Sequence, residues 1–322
     1  MSDASVMVPK RKTISIVTPC FNEEAGIREC YEAVRAEFAA NLPGYNREHV
    51  FCDNASSDKT VAILREIAAK DPCVKIIVNA RNFGPMRSNF NGVMAATGDA
   101  VVLFMPADLQ DPPSLLPEFV KLWEQGYEVV YGIRRVREEG RVMRSLRGVY
   151  YGLLTSLSEL KVPRGVGDFQ LVDRKVVEAM RSIEDAYPFM RMMTFECGFR
   201  AVGVPYKWVE RRRGISSNSL VRLVDQGMNG LVTFTAAPLR LVLFSGFLIA
   251  TLAILYAIFN LVMGVVYYRE LAPPGTLTII TALFFFAGVQ LFSIGILAEY
   301  ILAIYAQVRR KPIIFERERI NF

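Results

Sequence analysis

Three acidic stretches supply the chemistry that this sequence can offer. They read Pro19-Cys20-Phe21-Asn22-Glu23, Asp53-Asn54-Ala55-Ser56-Ser57-Asp58 and Ala107-Asp108-Leu109-Gln110-Asp111-Pro112-Pro113. Carboxylates gathered in one cleft repel one another unless a cation sits among them. Hard oxygen ligands favour Mg²⁺ or Mn²⁺, and such ions usually bind through one or two carboxylates plus substrate phosphates. A diphosphate-bearing substrate is therefore expected. The chain lacks a Gly-rich P-loop, which argues against a kinase or NTPase. His49 is the only histidine, so a His-based zinc site or a Ser-His-Asp triad is nearly excluded.

For these stretches to meet, the strands before them must lie side by side. Ile14-Ser15-Ile16-Val17 is a short β-branched run, and His49–Cys52 and Val74–Val78 read as further strands. Ala100–Met105 is nearly all apolar, as suits the middle of a parallel sheet covered on both faces. Between the strands, Glu24–Ala40, Asp58–Lys70 and Arg87–Ala96 carry helical patterns. Such a succession of βα units predicts an α/β fold with a doubly wound, mostly parallel sheet. Ligands bind such sheets at the carboxyl ends of the strands, where all three acidic stretches fall.

The 322 residues are 52% hydrophobic, but the distribution is uneven. The chain up to about Ala236 reads as a soluble α/β protein, and the rest is far more apolar. A net charge of +6 and a pI near 9.1 suggest an anionic partner: nucleic acid, lipid headgroups or a phosphorylated substrate. The five cysteines form no CxxC pair and read as reduced cytosolic thiols. No apolar signal region follows Lys10-Arg11-Lys12, so no secretion signal is expected.

Two apolar runs, roughly Leu239–Tyr268 and Thr276–Ala306, each exceed the ~20 residues that cross a bilayer. Pro273, Pro274 and Gly275 join them. Arg211, Arg212, Arg213, Arg222 and Arg240 precede the first run, and Arg309, Arg310 and Lys311 follow the second. The positive-inside rule then puts both termini and the soluble domain on the cytoplasmic face of the inner membrane. Two amphipathic segments, Leu146–Leu157 and Leu220–Val232, begin near arginines. Each is either a helix lying among the headgroups or a helix packed on the sheet. The expected organisation is a catalytic domain over 1–217, an interfacial segment over 218–238, a two-helix transmembrane domain over 239–306 and a cytoplasmic tail over 307–322. Within the second run, Gln290 and Glu299 suit helix packing better than a proton path. Trp123 and Trp208 read as structural or interfacial.

The ordered motifs PxxNE, DxxSxD, ADLQDPP, GDFxL and RxxGxS, followed by two spans, resemble the polyprenyl-phosphate glycosyltransferases. That family has the GT-A fold, belongs to inverting family 2, and includes dolichyl-phosphate mannose synthase. The resemblance runs from about Thr13 to Pro312. It implies a nucleotide-sugar donor, with UDP-glucose the best guess, and a polyprenyl (undecaprenyl) phosphate acceptor. It also implies a homo-oligomer, by analogy a tetramer; separately, the lack of a P-loop or an aromatic stacking platform argues against a nucleic-acid partner despite the charge. Residue by residue, Pro19, Asn22, Glu23, Asp53 and Ser56 correspond to the nucleotide pocket. Asp108 and Gln110 correspond to the metal-binding positions, with Mg²⁺ or Mn²⁺ as cofactor. Asp168 matches the acceptor-side aspartate near the reacting sugar. Arg211, with Gly214 and Ser216, matches the motif that contacts the diphosphate. Arg134 and Arg147, with Arg144 an equal candidate for the second, match the arginines of the acceptor phosphate.

The stretch 134–147 holds six arginines in fourteen residues. It is either a solvated basic loop or a clamp for the lipid phosphate. Three positions depart from the family pattern. Pro106 stands where the first acid of a DxD pair is usual, Asn54 replaces a common second acid, and Ser217 replaces a common lysine. The expected reaction is direct displacement at the anomeric carbon by the lipid phosphate, with inversion. A processive polysaccharide synthase would need a QxxRW motif and more spans, and neither is present. A silent nucleotide-sugar-binding scaffold is the other alternative, and Pro106 is its best support.

Overall fold

A computed structural model describes residues 11–134, 163, 166–183, 188–206, scattered positions from 242 to 255, 276–308 and 312–322. The chain divides into two units. One comprises Met1–Arg147, Leu160–Ser217 and Lys311–Phe322, and the other comprises Gly148–Glu159 and Asn218–Arg310.

In the first unit, β1 (Thr13–Cys20), β2 (Asn46–Asp53), β3 (Val74–Asn79) and β4 (Ala100–Val102) are mutually parallel and lie in the order β4-β1-β2-β3. The sheet continues past β4 through β6 (Val166–Asp173), β5 (Val129–Arg134) and β7 (Ala201–Tyr206). Only β6 and the far edge strand, β8 (Glu316–Ile320), run against the rest among the described residues. The mostly parallel sheet expected from the succession of βα units is thus present, with an antiparallel insertion beside β4, and it is GT-A-like as the resemblance implied.

Helices cover both faces. On one side lie α1 (Ile27–Asn41), α2 (Thr60–Lys70) and α4 (Leu116–Glu124). On the other lie α3 (Pro85–Ala95), α5 (Arg174–Ser182) and α6 (Met190–Glu196). In α1 the buried residues Ile27, Cys30, Tyr31, Val34 and Phe38 recur at helical spacing and pack on the sheet. The strands bury alternate residues in opposite layers: Ile14 and Ile16 with α1 and α4, Val17 with α3. Trp123 is buried and donates to Asp173 Oδ2 at 2.8 Å, a structural role as expected.

The fourth strand is shorter than Ala100–Met105. Its regular ladder ends at Val102. Leu103 N still donates to Gln170 O (2.8 Å) and Met105 N to Val17 O (2.8 Å), but Pro106 has no N–H to continue.

Inside the segment read as a tail lies β8, paired antiparallel with β3 from Ile76↔Ile320 to Asn79↔Glu316. Asn321 Nδ2 donates to the carbonyls of Ala68 and Val74, and Asn91 Nδ2 to Glu316 Oε1 at 2.6 Å. The charged alternation Glu316-Arg317-Glu318-Arg319 carries no apolar strand signal, which is why the sequence pattern alone missed it.

In the second unit, α7 (Thr276–Val308) spans 33 residues. Its stretch Phe285–Leu302 has a mean hydropathy of 1.7 and is unburied. Among the described residues it is the one helix long and apolar enough to cross a bilayer. Most of the first expected span lies outside the described residues. Its described positions are helical, and Phe244, Leu248, Leu252 and Leu255 are exposed. The amphipathic segments 146–157 and 220–232 also lie outside them.

Candidate active site

The loops after β1 and β2 interlock. Register pairs Cys20 with Asp53, so both loops leave the sheet at the same level. Asn22 N donates to Ser56 Oγ (2.9 Å), and Asn22 Oδ1 accepts from Ser57 N (2.9 Å). Glu23 N donates to Thr60 Oγ1 (2.9 Å), and Glu24 N to Asp58 Oδ2 (3.1 Å). Asp53 lies beneath this arrangement, wholly buried. Its Oδ2 accepts from Ser56 N at 2.9 Å, and its Oδ1 accepts from the Ser56 hydroxyl. Burial pushes the Asp53 carboxyl above its usual range, and the Ser56 and Ala55 hydrogen bonds offset only part of that. Asp58 differs. Burial raises it, but bonds from Thr60 and Glu24 N outweigh that and leave it lowered.

The loop after β4 lies beside the start of α1. Pro106 O accepts from the Cys30 thiol at 3.9 Å, and Ala107 O lies 3.4 Å from where a Cβ on Gly26 would project. Asp108 Oδ1 accepts from Gln110 N at 3.2 Å. Asp111 is buried and anchors the loop from the other side. Arg134 Nη2 donates to both of its oxygens (3.1 and 2.9 Å), and the Tyr206 hydroxyl donates to Oδ1. Arg134 Nε also donates to Tyr206 Oη at 3.1 Å.

Each of the three acidic loops contains one non-glycine residue with left-handed backbone: Asn22 (φ 55°), Ala55 (φ 63°) and Leu109 (φ 55°). For alanine and leucine this conformation costs roughly 1–2 kcal/mol each. Strain of this kind concentrates at ligand sites, where the surrounding structure holds it in place.

Asp168 joins the same end of the sheet. Antiparallel pairing of Val102 with Leu171, extended by the Leu103–Gln170 bond, sets Asp168 level with Met105. Its carboxylate receives Arg191 Nε at 3.0 Å and Nη2 at 2.5 Å.

The structure therefore gathers Pro19, Asn22, Glu23, Asp53 and Ser56 at two adjoining strand ends, with Asp108 and Gln110 after β4, Arg134 at the end of β5 and Asp168 near the start of the antiparallel β6. Arg144, Arg147, Arg211, Gly214 and Ser216 lie outside the described residues. Among the described residues, no group of three His, Cys, Asp or Glu side chains is spaced to hold a metal.

Three features escaped sequence reasoning. Asn54, read as a lost acid, is a buried amide hub. Its Oδ1 accepts from Phe83 N (2.9 Å) and Asn79 Nδ2 (3.2 Å), and its Nδ2 donates to Asn82 Oδ1 (2.9 Å). A carboxylate there could not donate to Asn82. Asp111 was visible within its motif but gave no local sign of its partners, which lie on β5 and β7. Arg191 had no motif around it at all.

The chain belongs to glycosyltransferase family 2: residues 15–181 match the family model "Glycosyl transferase family 2". Residues 237–304 match the model "GtrB C-terminal hairpin". The uncharacterized glycosyltransferase YkcC of Bacillus subtilis is 34% identical over 304 residues, 93% of this chain and 91% of that one. The SfII prophage-derived bactoprenol glucosyl transferase of Shigella flexneri is 34% identical over 300 residues, 93% of this chain and 96% of that one. Among solved structures, the mannosyltransferase PcManGT of Pyrobaculum calidifontis, in complex with GDP-Man and Mn²⁺, is similar with a TM-score of 0.47. It is 18% identical, over 94% of this chain and 89% of that one.

Proposed function

We propose that this chain transfers a single glucose from a nucleotide-sugar, best UDP-glucose, onto polyprenyl phosphate at the cytoplasmic membrane face, with inversion. The supporting observation is the convergence of three strained acidic loops in a chain that aligns along 93% of its length with a bactoprenol glucosyl transferase. Two spans, 239–268 and 276–306, would hold the site near the headgroups and turn a three-dimensional search into a confined one. The hairpin match over 237–304 supports that organisation. A homotetramer remains part of the proposal by analogy.

Asn22, Glu23 and Ser56 form the nucleotide wall. Asp53 is buried and accepts twice from Ser56, so a base N–H would take one of the carboxylate's further acceptor sites. Asp108 and Gln110 offer one anionic and one neutral oxygen. That set fits Mg²⁺ or Mn²⁺ shared with a diphosphate, not a self-sufficient metal cage. The ion, when bound, neutralises charge on the departing nucleoside diphosphate. Arg211 and Ser216 would complete the diphosphate contact.

The lipid phosphate has a second pKa near 6, so its attacking oxygen is largely unprotonated at neutral pH. No strong general base is required, and Asp168 orients a hydroxyl. Arg134 spends most of its N–H bonds on Asp111 and Tyr206. Its part in the acceptor clamp is therefore to brace the Asp108 loop, which leaves contact with the phosphate to the other two candidates from the resemblance, Arg144 and Arg147.

The test is incubation of membranes containing the protein with labelled nucleotide-sugars, divalent ion and polyprenyl phosphate, followed by lipid extraction. Label from UDP-glucose should enter the lipid fraction. Absence of lipid-linked label across the whole panel would remove the proposal.

A further inference from the structure

The pairing of Asp168 with Arg191 is built more firmly than either residue alone requires. Arginine's planar fork meets both carboxylate oxygens, which stops rotation of the carboxylate as well as attracting it. Both side chains are only about one-fifth exposed. The helix that presents Arg191 is itself fixed to the strand that presents Asp168. Gln170, fully buried, donates from Nε2 to Gly167 O at 3.1 Å, and its Oε1 accepts from Thr194 Oγ1 at 2.9 Å. Met190 and Met193, on either side of Arg191, are buried in the core layer beneath. The guanidinium therefore approaches Asp168 from a rigid base.

We propose that Arg191 is a positioning residue for transfer. It fixes the Asp168 carboxylate so that the group accepts a hydroxyl of the reacting sugar in one orientation. This rests on the assignment of Asp168 to the reacting sugar made above. An ionised carboxylate has about four acceptor sites, so two can face arginine while others face a ligand. Held this way, Asp168 is a fixed hydrogen-bond acceptor and not a remover of protons. A salt bridge kept only for folding would not need to sit level with the carboxyl end of β4.

The experiment is a double-mutant cycle on the full chain in membranes, with Asp168→Asn, Arg191→Met and their combination, plus Arg191→Lys. Transfer rate, KM for the nucleotide-sugar and melting temperature are measured for each. Arg191→Met should lower kcat by about 100-fold while KM for the donor changes by less than about threefold. The combined variant should be no slower than Asp168→Asn alone, because residues acting as a unit do not add. Arg191→Lys, which keeps the charge but loses the fork, should fall between wild type and Arg191→Met. Losses that multiply in the combined variant would overturn the proposal. So would an Arg191→Lys chain that transfers as fast as wild type, because charge without the fork would then suffice. Full transfer by Asp168→Asn would remove Asp168 from the reaction and Arg191 with it. A wild-type chain without transfer would instead remove the proposed function on which both rest.

Discussion

Strand β2 carries two buried carboxylates, one toward each end, and the protein treats them in opposite ways. At the amino end, Glu48 accepts from Lys75 Nζ (2.6 Å), Thr97 Oγ1 (2.6 Å), Thr97 N (2.7 Å) and the Ser15 hydroxyl. Burial raises its pKa, but Lys75, Ser15 and Thr97 outweigh burial and hold it below the ordinary value. At the carboxyl end, Asp53 has Ser56 and Ala55 N–H as its main offsets, with Asp58 adding like charge, and its pKa is raised. The first end is electrostatically complete. The second is short of donors and positive charge, and it adjoins the loops that hold strained backbone. Such a deficit is what a bound ligand or cation relieves.

Changes at the two ends should therefore fail in different assays. The largest effect belongs to the carboxyl end. Asp108→Ala should reduce transfer by about 10³-fold or more, as loss of a key electrostatic group does, with melting little changed. A large drop in melting temperature would break the contrast, because it would make Asp108 a folding residue.

Next is Glu48→Gln, which should cost about 3 kcal/mol by leaving Lys75 in a poorly solvated site without its counter-charge, seen as a lower melting temperature. Donor binding by the folded fraction should be unchanged. The same contrast has a pH signature. Glu48 has a depressed folded pKa, so its stabilisation is present above the unfolded value of about 4.3. It is lost as pH falls through the lower folded value. Asp53 has the opposite sign. Its contribution is fully present below about 3.9 and is lost as pH rises through the raised folded value.

It follows that Asp53→Asn should leave melting at pH 7 no lower than wild type. Nucleotide affinity should fall about tenfold, the worth of one hydrogen bond of roughly 1.4 kcal/mol. A destabilised Asp53→Asn chain with normal affinity would reverse the reading of β2. The smallest effect is expected at the outer edge. There the ion pair between Arg65 and Glu318 is about half exposed, and Arg65→Ala should cost no more than about 0.5 kcal/mol in denaturant unfolding.

How much of this was legible beforehand follows from what is local. Each of β1 to β4 and the helices after the first three carry their own hydrophobic period, and the acidic stretches directly follow strands, so their convergence could be read from chain order. The Pro106 end of β4 was also in the sequence, but its effect depends on which neighbours wait for a donor. Long-range partners were not legible. Asp111 finds Arg134 and Tyr206 across sequence separations of 23 and 95 residues. Asp168 finds Arg191 on a helix with no motif, and β8 pairs with β3 more than 230 residues away in sequence. Asn54 shows the reverse error. Judged against a family pattern it is a missing acid, but judged against its neighbours it is a donor that no acid could replace.

The central claim is that the carboxyl-end loops, through Asp108, hold a nucleoside diphosphate with a divalent ion. Calorimetric titration of UDP in the presence of Mn²⁺ into wild type, Asp108→Ala and Glu48→Gln tests it most directly. Wild type and Glu48→Gln should bind alike, and Asp108→Ala should bind at least about tenfold more weakly. Equal binding by wild type and Asp108→Ala would contradict it.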